Sequence, residues 1–301
     1  MDLLQHMATF VRIADAGSIS KASRSLRLSV AMTSRHLRAL EDELGVELIR
    51  RTTRKLALTE AGTEFLVRSR AVLASAREAQ DVVRPGRGAA GRLVMSLPVS
   101  FGLSQVGPVF PALLEKHPRL ELDLRFEDRI ADLLGDGVDV AIRAGIQPPD
   151  STNIVARKVA LIDRVVCASP TFLAKHRVTS IESLARVPCV VQGNTTQWNF
   201  EPTASASVNS VEVQGRLRTN SILALREAIL GGAGVGRLPL WVADEDLRKR
   251  RLVAILPERT LQPIEVFGIF HRGSRGSAAI QAVLEFLEVE LPKRTKMRAP
   301  K

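Results

Sequence analysis

The stretch SISKASRSLRLSVAMTSRHLRALEDELGVELIRRTTRKLALTEAG, residues Ser18 to Gly62, decides how the N-terminal part of this 301-residue chain folds. Within it Thr33, Leu37, Leu40 and Leu44 step by four, three and four, which predicts one helix with a single buried stripe. Ser29 stands where an N-cap belongs and Gly45 where a left-handed C-cap closes the helix. A shorter helix is expected upstream, capped by Ser18 and running to about Leu26 with Ala22 and Leu26 inward, and Arg27-Leu28 makes the turn. Downstream, Leu48 to Arg50 and Leu56 to Leu58 read as two short strands around a tip of Arg51, Thr52, Thr53, Arg54 and Lys55. Working back to the start, Leu3, Leu4, Met7, Phe10, Val11 and Ala14 recur at helical spacing between a cap at Asp2 and a stop at Gly17.

The residues left over by the buried stripe carry the chemistry. Ala31, Ser34, Arg35 and Arg38 face outward near the N-terminal end of the third helix. Small residues let a helix seat deeply in the major groove, the N-terminal amides attract phosphate, and arginine donates two bonds to a guanine edge. Taken singly, such a face is better explained as ordinary solvated surface. The basic hairpin tip that follows changes this, because three cations and two hydroxyls suit phosphate or minor-groove contact.

Helix, turn, helix and basic wing in this order resemble the DNA-binding domain of LysR-type transcriptional regulators. The resemblance is carried by the Ser-x-Ser-x-Ala start at Ser18, Ser20 and Ala22, and by the Leu-Glu-x-x-Leu-Gly close at Leu40 to Gly45. It continues in the Arg-x-x-Arg of Arg51 and Arg54 and in the Leu-Thr-x-Ala-Gly at Leu58 to Gly62. It implies a DNA contact set of Ser18, Ser20, Ser29, Val30, Ala31, Thr33, Ser34, Arg35, Arg38, Arg51, Arg54 and Lys55. Two positions depart from the family pattern. Val30 and Ala31 stand where Gln and then Pro or Ser are usual, so a base-reading amide is missing and a thymine methyl becomes a natural target. Ile49 replaces the usual Phe in the core.

From the expected cap at Thr59 a helix runs to about Val83, with Phe65, Val72, Ala76, Ala79 and Val83 near heptad spacing. Its partner is either the chain's own core or, as the resemblance implies, the same helix of a second subunit. Pro85, Gly86 and Gly88 then form a hinge.

Beyond the hinge short strands alternate with helices, the pattern of a mostly parallel α/β sheet. Strands are expected at Leu93 to Leu97, Leu120 to Phe126 and Val138 to Arg143, with Pro108 near the first turn of a helix. A second unit has strands near Val165 to Ala168, Cys189 to Gln192 and Val211 to Gln214, and a helix from Ile222 to Leu230 capped by Asn220-Ser221. Val266 to Phe270 and a helix from Ala278 to Leu291 return to the first unit. Two lobes crossed twice resemble the periplasmic-binding-protein-like effector domain of the same family. The fold class is therefore α/β: a winged helix-turn-helix (1–59), a linker helix (60–84), a hinge (85–91) and a two-lobed effector domain (92–291). Lobe I takes 92–164 and 264–291, and lobe II takes 165–263. The basic tail 292–301 is read as a disordered extension.

Ligands of such sheets lie beyond the carboxyl ends of strands. Ser100, Phe101, Arg143, Gly145, Thr195, Thr196 and Asn220 are the effector-binding candidates, and Arg143 would suit a carboxylate. An ion pair between Arg143 and Asp139, with the hydroxyls serving as helix caps, explains the same residues equally well.

Composition limits the alternatives. The chain carries a formal charge of +11. Residues 1–90 hold 15 basic against 10 acidic groups, and the tail beyond Leu291 holds five basic groups and no acid. This points to a polyanion partner, nucleic acid before membrane. No apolar run reaches the roughly 20 residues of a spanning helix, and the N-terminus lacks a signal-peptide pattern, so a cytoplasmic protein is expected. Cys167 and Cys189 read as core residues, a redox pair being the alternative. An enzyme is disfavoured. The five histidines lack metal spacing, and Gly231 to Gly236 follows a helix and never forms the dinucleotide loop. Neither metal nor cofactor is expected. The expected partners are operator DNA, a small-molecule effector, RNA polymerase and further copies of the chain as a homodimer or homotetramer. A secreted solute-binding protein would have no use for the first ninety residues.

Overall fold

The computed structural model describes residues 3–51, 56–82, 89–129, 132–145, 153–202, 209–294 and 297–298. The cap expected at Asp2, the wing tip from Thr52 to Lys55 and the hinge at Pro85, Gly86 and Gly88 lie outside the described residues.

The N-terminal module consists of α1 (Leu3–Ala16), α2 (Ile19–Leu26), α3 (Val30–Leu44), β1 (Ile49–Arg51), β2 (Leu56–Leu58) and α4 (Glu60–Val82). Its core is Phe10, Ile13, Ala22, Leu37, Leu40, Leu48, Ile49 and Leu66. Each large side chain withdrawn from water stabilises by about 1.5–3 kcal/mol, against a few tenths for a surface pair one helical turn apart. The buried stripes therefore set how the helices pack. Ser29 caps α3 as expected, its hydroxyl accepting from the Met32 amide, and Gly45 closes it at φ +68°. Ser18 precedes α2, but its side chain makes no capping bond. Leu44, expected in the stripe, is 39% exposed because α3 ends before anything covers it.

The wing is bound to the helices by side chains of the two motifs that flank it. Glu41 accepts the amides of Leu48 and Ile49 at 2.8 and 3.1 Å. Thr59 donates to the Glu47 carbonyl at 2.8 Å and accepts from the Gly62 amide at 2.8 Å, capping α4. Gly62 has a steric reason. A Cβ there would lie 2.0 Å from the Leu48 carbonyl oxygen, so only glycine lets α4 pass the strand this closely.

The linker helix does not bury the single heptad stripe expected of it. Gly62, Leu66 and Ser69 form its buried face, and Phe65 rests on Phe10 with ring centroids 5.8 Å apart. Val72, at 42%, and Ala79 are exposed.

The rest of the chain forms two sheets. The first segment supplies β3 (Ala90–Leu97), α5 (Val99–Phe101), α6 (Phe110–Lys116), β4 (Arg119–Phe126), β5 (Val140–Ala144) and β6 (Ile154–Ile162). Between α5 and α6 the chain coils as a π turn, Gly102–Val106, and a 3-10 turn, Gly107–Val109. Pro108 and Pro111 each lack an amide hydrogen there, which accounts for the broken helix. The chain then crosses into β7 (Arg164–Ala168), α7 (Pro170–Leu173), β8 (Cys189–Gln192), β9 (Gln197–Asn199), β10 (Ser210–Glu212), β11 (Gly215–Thr219), α8 (Ile222–Leu230), β12 (Val235–Pro239), α9 (Leu240–Arg248) and β13 (Val253–Ala254). It returns through β14 (Ile264–His271), α10 (Ala278–Glu290) and β15 (Met297–Arg298).

The strand orders are β15-β6-β14-β5-β3-β4 and β11-β8-β12-β7-β13. Both sheets are mixed, which corrects the mostly parallel expectation. The outgoing β6 and the returning β14 run in opposite directions side by side, and β7 meets β12 antiparallel. Val211 is not in the second sheet either. It belongs to the separate β9–β10 ribbon, and the sheet strand is β11. The described residues of the tail, 292–294 and 297–298, depart from the disorder expected of them. Met297 pairs with Ile162 and is buried, and Arg298 meets Asp163 at 2.5 Å. The open edge of β6 and one apolar side chain are enough to order these two residues.

Candidate nucleic-acid interface and ligand cleft

Helix α3 presents Val30, Ala31, Arg35 and Arg38 to solvent, and Ser34 is half-buried. Met32, 38% exposed, extends this apolar lip beside Val30 and was not singled out from the sequence. Its signal was there, since it falls outside the Thr33, Leu37, Leu40 stripe. Ser20 and Ser29 are exposed and Ser18 is half-buried. Thr33 is corrected. It is fully buried, its hydroxyl donates back to the Ser29 carbonyl at 3.0 Å, and it has no access to a groove. Of Arg51 only the backbone is described, as the end of β1, and Arg54 and Lys55 lie outside the described residues.

Beneath the reading face, Thr9 on α1 lies 3.1 Å from His36 Nδ1, and the rings of His6 and His36 are 5.0 Å apart. Burial, then His6 and Arg35, hold His36 below its ordinary pKa. The His36 imidazole thus ties α3 to α1 through Thr9 and His6.

In the two-sheet part, Ser100 and Gly145 follow the C-terminal ends of β3 and β5, which run parallel to β4 and β3 respectively. Thr195, Thr196 and Asn220 follow the C-terminal ends of β8 and β11. Gly145 takes φ +73°, and its amide donates to the Glu265 carbonyl at 2.9 Å. Thr195 and Thr196 sit in a tight turn whose amides donate to the carbonyls of Gln192 and Asn194. Asn220 is exposed, and Ser221 alone caps α8, accepting from the Ala224 amide. Among the described residues no hydrogen bond joins Ser100 or Gly145 to Thr195, Thr196 or Asn220.

Two candidates are corrected. Phe101 is 4% exposed, part of the core that packs on the six-stranded sheet, with its ring 6.1 Å from that of Trp241. It therefore packs one lobe against the other. Arg143 is 3% exposed. Nη1 donates to the carbonyls of Ser96 and Ile142 at 3.1 and 2.7 Å, and Nη2 to Ser96 Oγ and the Arg129 carbonyl at 2.6 and 3.0 Å. Ser96 in turn donates to Glu127 at 2.8 Å. Burial draws the Arg143 pKa down, and the nearby Glu127 and Asp128 work against that. Nη1 and Nη2 are thus taken by acceptors inside the protein, and only the buried Nε has none among the described residues, which leaves little of the guanidinium for a ligand. Asp139, the expected partner, accepts from the Val94 amide at 2.8 Å.

The cysteines are core residues. Cys167 lies opposite Gly236 and Cys189 opposite Val235, on strands flanking β12. Two strand spacings are about 9–10 Å, beyond the reach of roughly 7 Å for a disulfide. Burial pushes both thiols up to about 12.

Comparison with known proteins decides the family. Residues 4–63 match the bacterial regulatory helix-turn-helix protein, lysR family, and residues 86–291 match the LysR substrate binding domain. The chain belongs to the LysR family of transcriptional regulators. It is 32% identical over 263 residues to the probable regulator LtrA of Klebsiella pneumoniae, covering 86% of this chain and 84% of that one. To the regulator DmlR of Escherichia coli it is 30% identical over 295 residues, covering 95% and 94%. Among solved structures, the full-length virulence activator AphB of Vibrio cholerae aligns with a TM-score of 0.56 at 26% identity, covering 94% of this chain and 98% of that one. CrgA of Neisseria meningitidis aligns at 0.55 and 26% identity, covering 95% and 98%. Like other LysR regulators, the chain joins a DNA-binding helix-turn-helix to a two-lobed α/β substrate-binding domain, and members of the family bind DNA and effectors and form oligomers. No described helix is long and apolar enough to cross a membrane.

Proposed function

We propose that this LysR-family regulator reads its operator through Val30, Ala31, Ser34, Arg35 and Arg38 of α3, with Ser18, Ser20 and Ser29 on phosphates. The wing, through Arg51, Arg54 and Lys55, contributes backbone or minor-groove contacts. The observation that carries this reading is the exposure of both arginines beside small side chains, on a helix whose opposite face buries Thr33, Leu37 and Leu40. The exposed Val30, at 48%, supports preference for a thymine methyl where Gln-bearing relatives read an adenine.

The exposed Val72 and Ala79 of α4 favour pairing of linker helices in a homodimer, or a homotetramer built from two such dimers. An effector lodged near Ser100, Gly145, Thr195, Thr196 and Asn220 would shift lobe closure, subunit geometry, and thereby operator bending and contact with RNA polymerase. The reading has no use for enzymatic turnover and places the protein in the cytoplasm with its DNA.

Gel shifts on the DNA upstream of its own gene test it. Arg35→Ala weakens operator binding by about 1–3 kcal/mol, roughly five- to 150-fold, and relaxes selectivity at one base pair. Thr33→Val leaves selectivity unchanged. Equal affinity of wild type and Arg35→Ala on operator and scrambled DNA would overturn the assignment.

A further inference from the structure

The two lobes are joined where β6 leads into β7 and where the chain returns into β14. Arg164 ties these crossings together, its Nε and Nη2 both donating to the Gln262 carbonyl, the former at 2.8 Å. On the neighbouring strand Arg237 lies with its guanidinium carbon 5.1 Å from the centre of the Trp198 ring. Strand alternation puts Arg164 and Val166 of β7 on the same face as Val235 and Arg237 of β12. That face covers the core around Trp198, Val191 and Val235. Arg164, Gln192, Trp198, Leu225, Arg237 and Ile264 line a cavity of about 30 Å³.

Arg164, Arg237 and Trp198 bring only donors to this cavity. Trp198 is 1% exposed and its Nε1–H has no acceptor among the described residues. Arg237 likewise has no carboxylate or carbonyl acceptor among the described residues. Asp163, next in sequence to Arg164, is held by Arg298. Burial, together with the like charge of Arg164, pushes Arg237 down to about 9. The contrast with Arg143 is direct: Glu127 and Asp128 favour the charge of that cation, whereas among the described residues Arg237 is set against another cation and an aromatic face. Two half-desolvated guanidiniums side by side repel unless an anion lies between them. A space of this size admits a compact group, a carboxylate head or a halide, and excludes a ring. Arginine's planar fork matches a carboxylate in two bonds.

We propose that Arg237 and Arg164, with the Trp198 indole N–H, form a carboxylate-binding site at the crossing between the lobes. The inference rests on reading the two-sheet domain as the effector sensor and names the ligand chemistry it takes. An anion here touches both crossing segments, so its arrival bears directly on how the lobes are set.

The chain has two tryptophans, Trp198 and Trp241, so Trp241→Phe full-length protein reports on Trp198 alone. Its fluorescence is titrated with sodium acetate and, separately, with sodium chloride, at ionic strength held constant with sodium fluoride. The expected result is a saturable change with acetate that weakens at least tenfold when Arg237→Met is added. A response that is linear in salt, that is unaffected by Arg237→Met, or that saturates with chloride and not with acetate overturns the proposal. Circular dichroism checks that Arg237→Met folds. If it does not, Arg237→Lys, which keeps charge but loses the fork, must weaken acetate at least fivefold. Operator binding by the wild type is measured in parallel. Acetate failing while operator binding persists removes this site and leaves the regulator reading standing, and the reverse removes the DNA-reading assignment alone.

Discussion

An arginine on a sheet strand has two opposite uses, and Arg143 and Arg237 show how their surroundings choose between them. Arg143 donates to three carbonyls and to Ser96, whose hydroxyl passes the charge on to Glu127. It therefore works as an internal strut holding β3, β5 and the segment of Arg129 in register. Arg143→Met removes the cation and leaves the Ser96 and Glu127 side of the network short of a donor. Removing one partner of a buried charged network costs about 3 kcal/mol, so urea unfolding of the variant should show a matching drop in stability with acetate affinity preserved. A variant as stable as wild type would contradict the strut. Thr33 teaches the same lesson on a smaller scale. Its hydroxyl could face a base or its own helix, and burial beside Leu37 sends it to the Ser29 carbonyl.

Among elements, the winged module depends on how closely α4 passes β1. The motif that ends in Gly62 exists for that approach: Thr59 caps the helix and grips the Glu47 carbonyl, and Gly62 leaves room for the Leu48 carbonyl. Gly62→Ala puts a methyl 2.0 Å from that oxygen, a contact backbone can relieve only by moving. Overpacking of this kind destabilises by about 2 kcal/mol or more. The expected outcome is a thermal midpoint several degrees lower, with reading of the operator lost as the wing shifts, measured by calorimetry and gel shift. Tolerance of Ala without change would mean the close approach is not needed.

On the scale of the whole molecule, Arg70 connects parts of the chain that sequence periodicity treats as separate. From the middle of α4 it reaches Asp15 at the end of α1 and the carbonyls of Leu134 and Gly135 in the first lobe, and its side chain is only 12% exposed. One guanidinium thus joins the DNA-reading module to the effector domain of the same chain. Arg70→Met should uncouple them, so that a single calorimetric transition separates into two. A loss of about 1–2 kcal/mol would lower the midpoint of a module this small by roughly 4–8 °C or more. A single unshifted transition would show that the two parts do not communicate through this contact.

How much of this was legible beforehand follows from the range of the forces involved. Ser29, Gly45, Thr59 and the stripe of Thr33, Leu37 and Leu40 act within one or two helical turns, so spacing alone determined the helix-turn-helix, these three caps and its outward arginines. The alternation of strands and helices likewise determined that two α/β units follow. Relations between groups far apart along the chain were decided only by the tertiary structure. The antiparallel neighbours β6 and β14, the seating of Met297 on β6, the burial of Phe101 against Trp241 and the opposite fates of Arg143 and Arg237 all depend on which distant groups arrive beside them. A charge's partner is chosen by proximity in space, and proximity across sheets carries no period that the chain can display in one dimension.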